Sequence, residues 1–134
     1  MFEAKYYKNY MDSKVDDILS ELISARKRGV DVKVILEGGE DFLGADFEKS
    51  SQATCDYLSK GGVIVRFDPR NTTTHAKLIV IDNSSIIIGS TNWNYNAIEN
   101  NNEASVLINS PGVALHYAGY FDSLWKDSKE CAGQ

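Results

Sequence analysis

Several residue types that would settle a function early are scarce in this chain of 134 residues. Its two cysteines, Cys55 and Cys131, stand far apart with no Cys-x-x-Cys, and they read as two unrelated thiols. Two histidines, His75 and His116, are too few imidazoles for a structural zinc site; no cofactor is expected. No run of apolar residues reaches membrane-spanning length. The opening Met1-Phe2-Glu3-Ala4-Lys5 is not a secretory signal, and a cytoplasmic location follows as the expectation. Positive charge is also in deficit: 14 Lys and Arg against 19 Asp and Glu give a formal net charge of -5. That excludes avid nucleic-acid binding by bulk charge, so such a substrate would need a local basic groove or one assembled from more than one chain.

Hydrophobic residues make up 43% of the chain, enough for one packed domain over 1–134, without internal repeat or linker. Met1–Tyr7 reads as a short strand. Asp12-Ser13 offers a helix cap, and Ile18, Leu19, Leu22 and Ile23 follow at helical spacing. Arg26-Lys27-Arg28-Gly29 closes that helix, with cations in its last turn and glycine as the stop. Val30–Glu37 alternates as a strand, and Gly38-Gly39 is a turn with no nucleotide-loop sequel. A second amphipathic helix spans Phe47 to about Lys60, and Val63–Phe67 is another strand. The most apolar strands lie around His75–Asp82 and Ser85–Gly89. A polar loop, Asn92–Asn102, leads to a strand at about Glu103–Ile108, and Pro111 opens a last helix. The order predicts an α/β fold, a mixed sheet flanked by helices.

His75 and Lys77 sit at the head of the most apolar strand, two residues apart and therefore on one face. Placing them there is costly unless an anion is bound. Asp82-Asn83-Ser84-Ser85 is a hairpin signal. A two-residue loop of Asn83 and Ser84 would set Lys77 opposite Ser90 and His75 opposite Asn92, whereas a three-residue turn would break that register. Four polar groups gathered so fit a phosphodiester. Lys77 would neutralise non-bridging oxygens, Ser90 and Asn92 would donate hydrogen bonds, and His75 would attack phosphorus as a neutral imidazole. Glu103 is the best candidate to fix the His75 ring. Simpler assignments compete for each residue. A lone histidine at a strand start can be structural, a lone lysine can reach past apolar surface to solvent, Asp82 can serve a turn, and Gly89 can serve backbone packing.

The run His75, Lys77, Asp82, Gly89, Ser90 and Asn92 matches His-x-Lys-x4-Asp-x6-Gly-Ser-x-Asn without a break. In this the chain resembles the phospholipase D superfamily, and Glu103 lies where its single-motif nucleases carry a glutamate. The resemblance implies a metal-independent phosphodiesterase working through a phosphohistidine, with Asp82 as the motif's acidic residue in a supporting role. It also implies a phospholipase D-like fold. Single-motif members usually carry an additional strand and helix before the segment equivalent to Phe2–Tyr7; their absence is the expectation here, either as a shortened or trimmed chain or with the missing sheet edge filled by a partner. Two motif copies build one site in this family, and one copy is present, so a symmetric homodimer is expected; His116, in the last helix, is the weaker candidate for the second imidazole. The expected substrate is nucleic acid, cut by an endonuclease, with Arg26, Lys27, Arg28, Arg70 and the Lys5, Tyr6, Tyr7, Lys8 cluster lining a groove. Ordinary helix-end and packing roles remain open for these side chains. The alternatives are a phospholipid hydrolase or transphosphatidylase, without a visible membrane anchor, and a non-catalytic nucleic-acid-binding module.

Overall fold

The computed structural model describes residues 1–8, 12–38, 43–69 and 72–131. Ser13 caps the first helix, α1 (Lys14–Lys27), its Oγ accepting from Asp16 N at 3.2 Å. Gly29, at φ 94°, ends it: Gly29 N donates to Arg26 O and Val30 N to Ala25 O, a turn that needs the left-handed conformation. The chain continues through β1 (Lys33–Leu36), α2 (Ala45–Lys60) and β2 (Ile64–Phe67). Next come β3 (Leu78–Ile81), β4 (Ser85–Gly89), a short α3 (Tyr95–Glu99) and β5 (Ser105–Asn109). It finishes with α4 (Pro111–Asp127) and β6 (Lys129–Glu130). The helix α3 replaces part of the polar loop expected after Asn92, and Asn94 caps it by accepting from Ala97 N.

Among the described residues there are two sheets instead of one, ordered β1-β2-β6 and β3-β4-β5. β1 and β2 are parallel, and the other pairs are antiparallel. Val34, Leu36 and Val65 face α1 and α2 in the main core with Leu19, Cys55 and Leu58. Arg66 points to the opposite face, where Nη1 donates to Trp125 O at 2.9 Å and the guanidinium lies over the Trp125 ring. That places α4 across the sheets from α1 and α2. The segment Met1–Lys5 joins the sheets. Met1 N donates to Ile35 O and Glu37 N to Met1 O on the β1 side. Phe2 N donates to Ala76 O, and Ala4 forms a parallel bridge with Trp93, on the other. Buried Thr54 of α2 anchors the segment by donating to Ala4 O at 2.6 Å and accepting from Tyr6 N.

Two expectations need correction. The β3–β4 turn contains three residues, because Ile81 pairs with Ser85 and Leu78 with Ile88. Asp82 and Asn83 both take positive φ (49° and 51°), and Ser84 N donates back to Ile81 O. The register is therefore one residue off the two-residue form, and Gly89 N, not Ser90, meets Lys77 O. The cysteines are not unrelated: Cys55 of α2 and Cys131, just beyond β6, form a disulfide with Cα atoms 6.4 Å apart.

The disulfide closes a sequence separation of 76 residues. Chain entropy assigns such a loop roughly 4 kcal/mol of stabilisation. Cys131→Ser, or thiol reductant, should lower the thermal midpoint accordingly in calorimetry. A midpoint indifferent to both changes would show that the bridge contributes nothing to stability.

Candidate active site

Glu37 directly follows β1 and Asp68 directly follows β2, so both stand at the carboxyl ends of parallel strands. Both are buried, and both accept from Thr74 N, at 2.9 and 3.0 Å. Asp68 also accepts from Gly38 N at 3.0 Å. This double anchor fixes the backbone immediately before His75. His75 and Lys77 then lie in extended chain ahead of β3, not within it. Lys77 Nζ donates to His75 O at 2.8 Å and lies 3.1 and 3.2 Å from the two ring nitrogens. The Phe2 ring packs on the imidazole with centroids 4.3 Å apart, and Lys77 Nζ stands 4.7 Å from the centre of the same ring.

Lys77 is 8% exposed. Burial lowers its pKa from the ordinary lysine value, while the negative charges of Glu103 and Glu3 oppose the shift. Glu103 accepts from Ser90 Oγ and from Asn101 Nδ2, and these two bonds, Ser90 first, hold its carboxyl below the usual range. Ser90 is tied further to the β5 side: its N donates to Ala104 O, and Ala104 N donates to its Oγ. Asn94 Nδ2 donates to Glu3. Asn92 Oδ1 is buried with no partner among the described residues, a free acceptor beside Trp93 in the chain.

The structure thus brings His75, Lys77, Ser90 and Glu103 into one electrostatic neighbourhood, though by a different route from the predicted face-to-face pairing. Glu103 bonds Ser90 and Asn101, and no bond from it to His75 is present among the described residues. Asp82 is elsewhere. It is an exposed turn residue seven positions from His75, about 20 Å along an extended strand, and so lies away from the His75 and Lys77 side chains. The residues missed in the sequence are Phe2, Glu3, Glu37 and Asp68. Only Glu37 and Asp68 carried a signal, each being an acidic residue at the end of an apolar strand.

The proposed groove side chains divide. Arg26 Nε donates to Gly62 O and its Nη1 to Val30 O, at the amino end of β1 and so away from the site. Lys27 and Arg28 share that helix end. Tyr6 stacks on Tyr57 at 4.0 Å, an ordinary packing role. Lys5 and Tyr7 remain beside the site with Tyr95, whose N donates to Tyr7 Oη at 2.9 Å. Arg70 lies outside the described residues.

A family model described as cardiolipin synthase, PLD-like domain, matches residues 4–125. The chain is 30% identical over 111 residues to the mitochondrial cardiolipin hydrolase of Chlamydomonas reinhardtii, covering 82% of this chain and 46% of that protein. It is 33% identical over 90 residues to cardiolipin synthase B of Escherichia coli, covering 67% of this chain and 21% of that protein. The chain spans about half the length of the cardiolipin hydrolases it matches. Among solved structures it is similar to Nuc from Salmonella typhimurium, a phospholipase D family member. That match has a TM-score of 0.77 at 27% identity and covers 97% of this chain and 78% of that one. NucT from Helicobacter pylori shares the fold at a TM-score of 0.69 and 24% identity. Among the described residues no helix is long and apolar enough to cross a membrane.

Because the Ser90 hydroxyl is the main cause of the low Glu103 pKa, Ser90→Ala should raise it toward the ordinary glutamate value. In wild type the carboxylate forms at lower pH and is lost only as pH falls through that depressed value. A carboxyl-carbon NMR titration of both proteins reads the difference directly. Coincident midpoints would mean that Ser90 does not stabilise the anion.

Proposed function

The chain belongs to the phospholipase D superfamily, and we propose that it is a metal-independent phosphodiesterase whose active site forms between two copies. The observation that carries this reading is the placement of Lys77 Nζ against the His75 imidazole at a partly dehydrated sheet mouth. A buried lysine with a lowered pKa gains most from an anion that restores its charge, and a phosphodiester supplies one.

In the proposed reaction one His75 attacks phosphorus as a neutral imidazole. A nitrogen–phosphorus bond forms, and the bond to the leaving oxygen breaks. The leaving oxygen takes a proton from the partner's His75. Water then attacks phosphorus, the nitrogen–phosphorus bond breaks, and the water's proton passes to that second imidazole, which restores both rings. Lys77 holds a non-bridging oxygen, and Ser90 and Asn92 line the pocket. Glu103 balances the charge of Lys77 and orients Ser90. One copy of the motif provides one such imidazole. The other histidine, His116, is exposed on α4 with its ring edge-on to Tyr117, which supports a second copy of the chain as the source of the acid.

Nucleic acid is the leading substrate class. Lys5, Tyr7 and the 44% exposed Tyr95 form a patch beside the Ser90–Asn94 segment, suited to a phosphate and a stacked base. A phospholipid diester is the second reading, favoured by relatives named for cardiolipin.

The test is hydrolysis of single- and double-stranded DNA and RNA, and of cardiolipin vesicles, in excess chelator. Activity should persist, and His75→Asn should reduce it by at least about 10²- to 10⁴-fold, the range for losing a positioned proton-transfer group. Excess His75→Asn subunits should also suppress wild-type activity by forming mixed dimers. Turnover abolished by chelator, or full activity in a strictly monomeric preparation, would overturn the proposal.

A further inference from the structure

His75 is exposed, and an exposed side chain exchanges quickly between rotamers unless something holds it. Among the described residues no carboxylate bonds its ring, and Glu103 is engaged by Ser90 and Asn101. Lys77 Nζ meets the imidazole at its nitrogen edge. The Phe2 ring packs against it with centroids 4.3 Å apart and planes at 50°. The lysine contact uses the atoms that the reaction needs, so it must yield when a ring nitrogen bonds phosphorus. The Phe2 contact need not.

Phe2 is itself firmly placed. Its backbone N donates to Ala76 O at 3.2 Å, which sets it beside the residue between His75 and Lys77. Phe47, in the first turn of α2, packs against its ring with centroids 5.6 Å apart and planes at 38°. Two residues on, Ala4 O accepts from the buried Thr54 hydroxyl of the same helix. α2 thus secures Phe2 through the ring and through the backbone. Lys77 Nζ stands 4.7 Å from the ring centre, so one aromatic plate contacts both the nucleophile and the cation. A π face attracts an ammonium and packs on an imidazole, yet it neither donates to nor accepts from the ring nitrogens. A carboxylate in the same place would pair with Lys77 and compete with a diester for it.

We propose that Phe2 is a positioning residue for the phosphodiester reaction. Its aromatic face sets the rotamer of the His75 imidazole and the distance between that ring and Lys77. The assignment rests on the phosphodiesterase reading above and adds to it a residue that acts without touching the substrate. An aliphatic side chain would occupy much of the same volume. It has no flat face to select one ring orientation, and no π charge for the ammonium. The diester itself is held by Lys77, Ser90 and Asn92, so a misplaced imidazole appears in kcat more than in KM.

The experiment compares wild type, Phe2→Leu and Phe2→Tyr in the full chain, with bis-p-nitrophenyl phosphate as the diester. Phe2→Leu should lower kcat by about 10- to 100-fold while the thermal transition is retained. KM should move by less than about threefold. Phe2→Tyr, which keeps the aromatic face, should recover most of the lost kcat. Three-bond NMR couplings across the His75 Cα–Cβ bond should report one rotamer in wild type and Phe2→Tyr, and an average over several in Phe2→Leu. An unchanged kcat in folded Phe2→Leu would overturn the assignment, as would a Phe2→Tyr variant as slow as Phe2→Leu. So would averaged couplings in the wild type. Absence of turnover in the wild type would count against the phosphodiesterase reading, and the couplings would still decide whether Phe2 orders the ring.

Discussion

The backbone hydrogen bonds of Met1–Lys5 are the constraint on which this molecule turns. Among the described residues the two three-stranded sheets share no direct ladder, and this one segment bonds to β1, to Ala76 and to Trp93. Each such bond contributes only about 0.5–1.5 kcal/mol net, so their importance is geometric. They fix where the second sheet lies against the first. The same segment carries the Phe2 ring onto His75 and brings the Glu3 charge near Lys77. Assembly of the two halves and assembly of the site are thus one event, and Thr54, buried in α2, secures it from below.

Glu3, Glu37, Asp68 and Glu103 all lie near the extended His75–Lys77 segment, with the Lys77 ammonium and the Met1 amino group among them. Glu37 and Asp68 both accept from the Thr74 amide, and Asp68 also from Gly38 N, which fixes the backbone before His75. Glu103 is satisfied by Ser90 and Asn101, so it balances Lys77 without a salt bridge that would compete with a ligand. A lysine kept partly dehydrated, with its counter-charges engaged elsewhere, is well prepared to meet an incoming oxyanion. In the proposed dimer two such lysines would face one diester, which offsets the acidic balance of the single chain.

Much of this was legible in the residues themselves, and the failures have physical causes. The Ser13 cap, the Gly29 stop and the β3–β4 hairpin follow from local preferences that tertiary contacts did not override. The hairpin register did not, because Asp82 and Asn83 both enter the left-handed region and leave Ser84 as a third turn residue. Short Asx side chains tolerate that conformation, but nothing in their identity demands it. The Cys55–Cys131 bridge is a meeting of α2 with the chain end, far beyond any local rule. Glu37 and Asp68 looked like ordinary acidic residues after strands. Only the folded path of Thr74 gives them a shared partner.

The motif's spacing also acquires a mechanical meaning. Asp82 marks the turn, and the gaps on either side of it bring Lys77 opposite Gly89. A Cβ at residue 89 would overlap Ser105 Oγ and the Ala104 carbonyl, so glycine is what lets β4 approach β5 so closely. That approach lets Ser90 N reach Ala104 O and its hydroxyl reach Glu103. Asp82 and Gly89 therefore act through the backbone. One sets the length of the hairpin and the other the depth of the strand contact, and together they deliver serine and glutamate to the lysine. A one-residue change in either gap would turn alternate side chains to the wrong face while leaving every individual residue type intact.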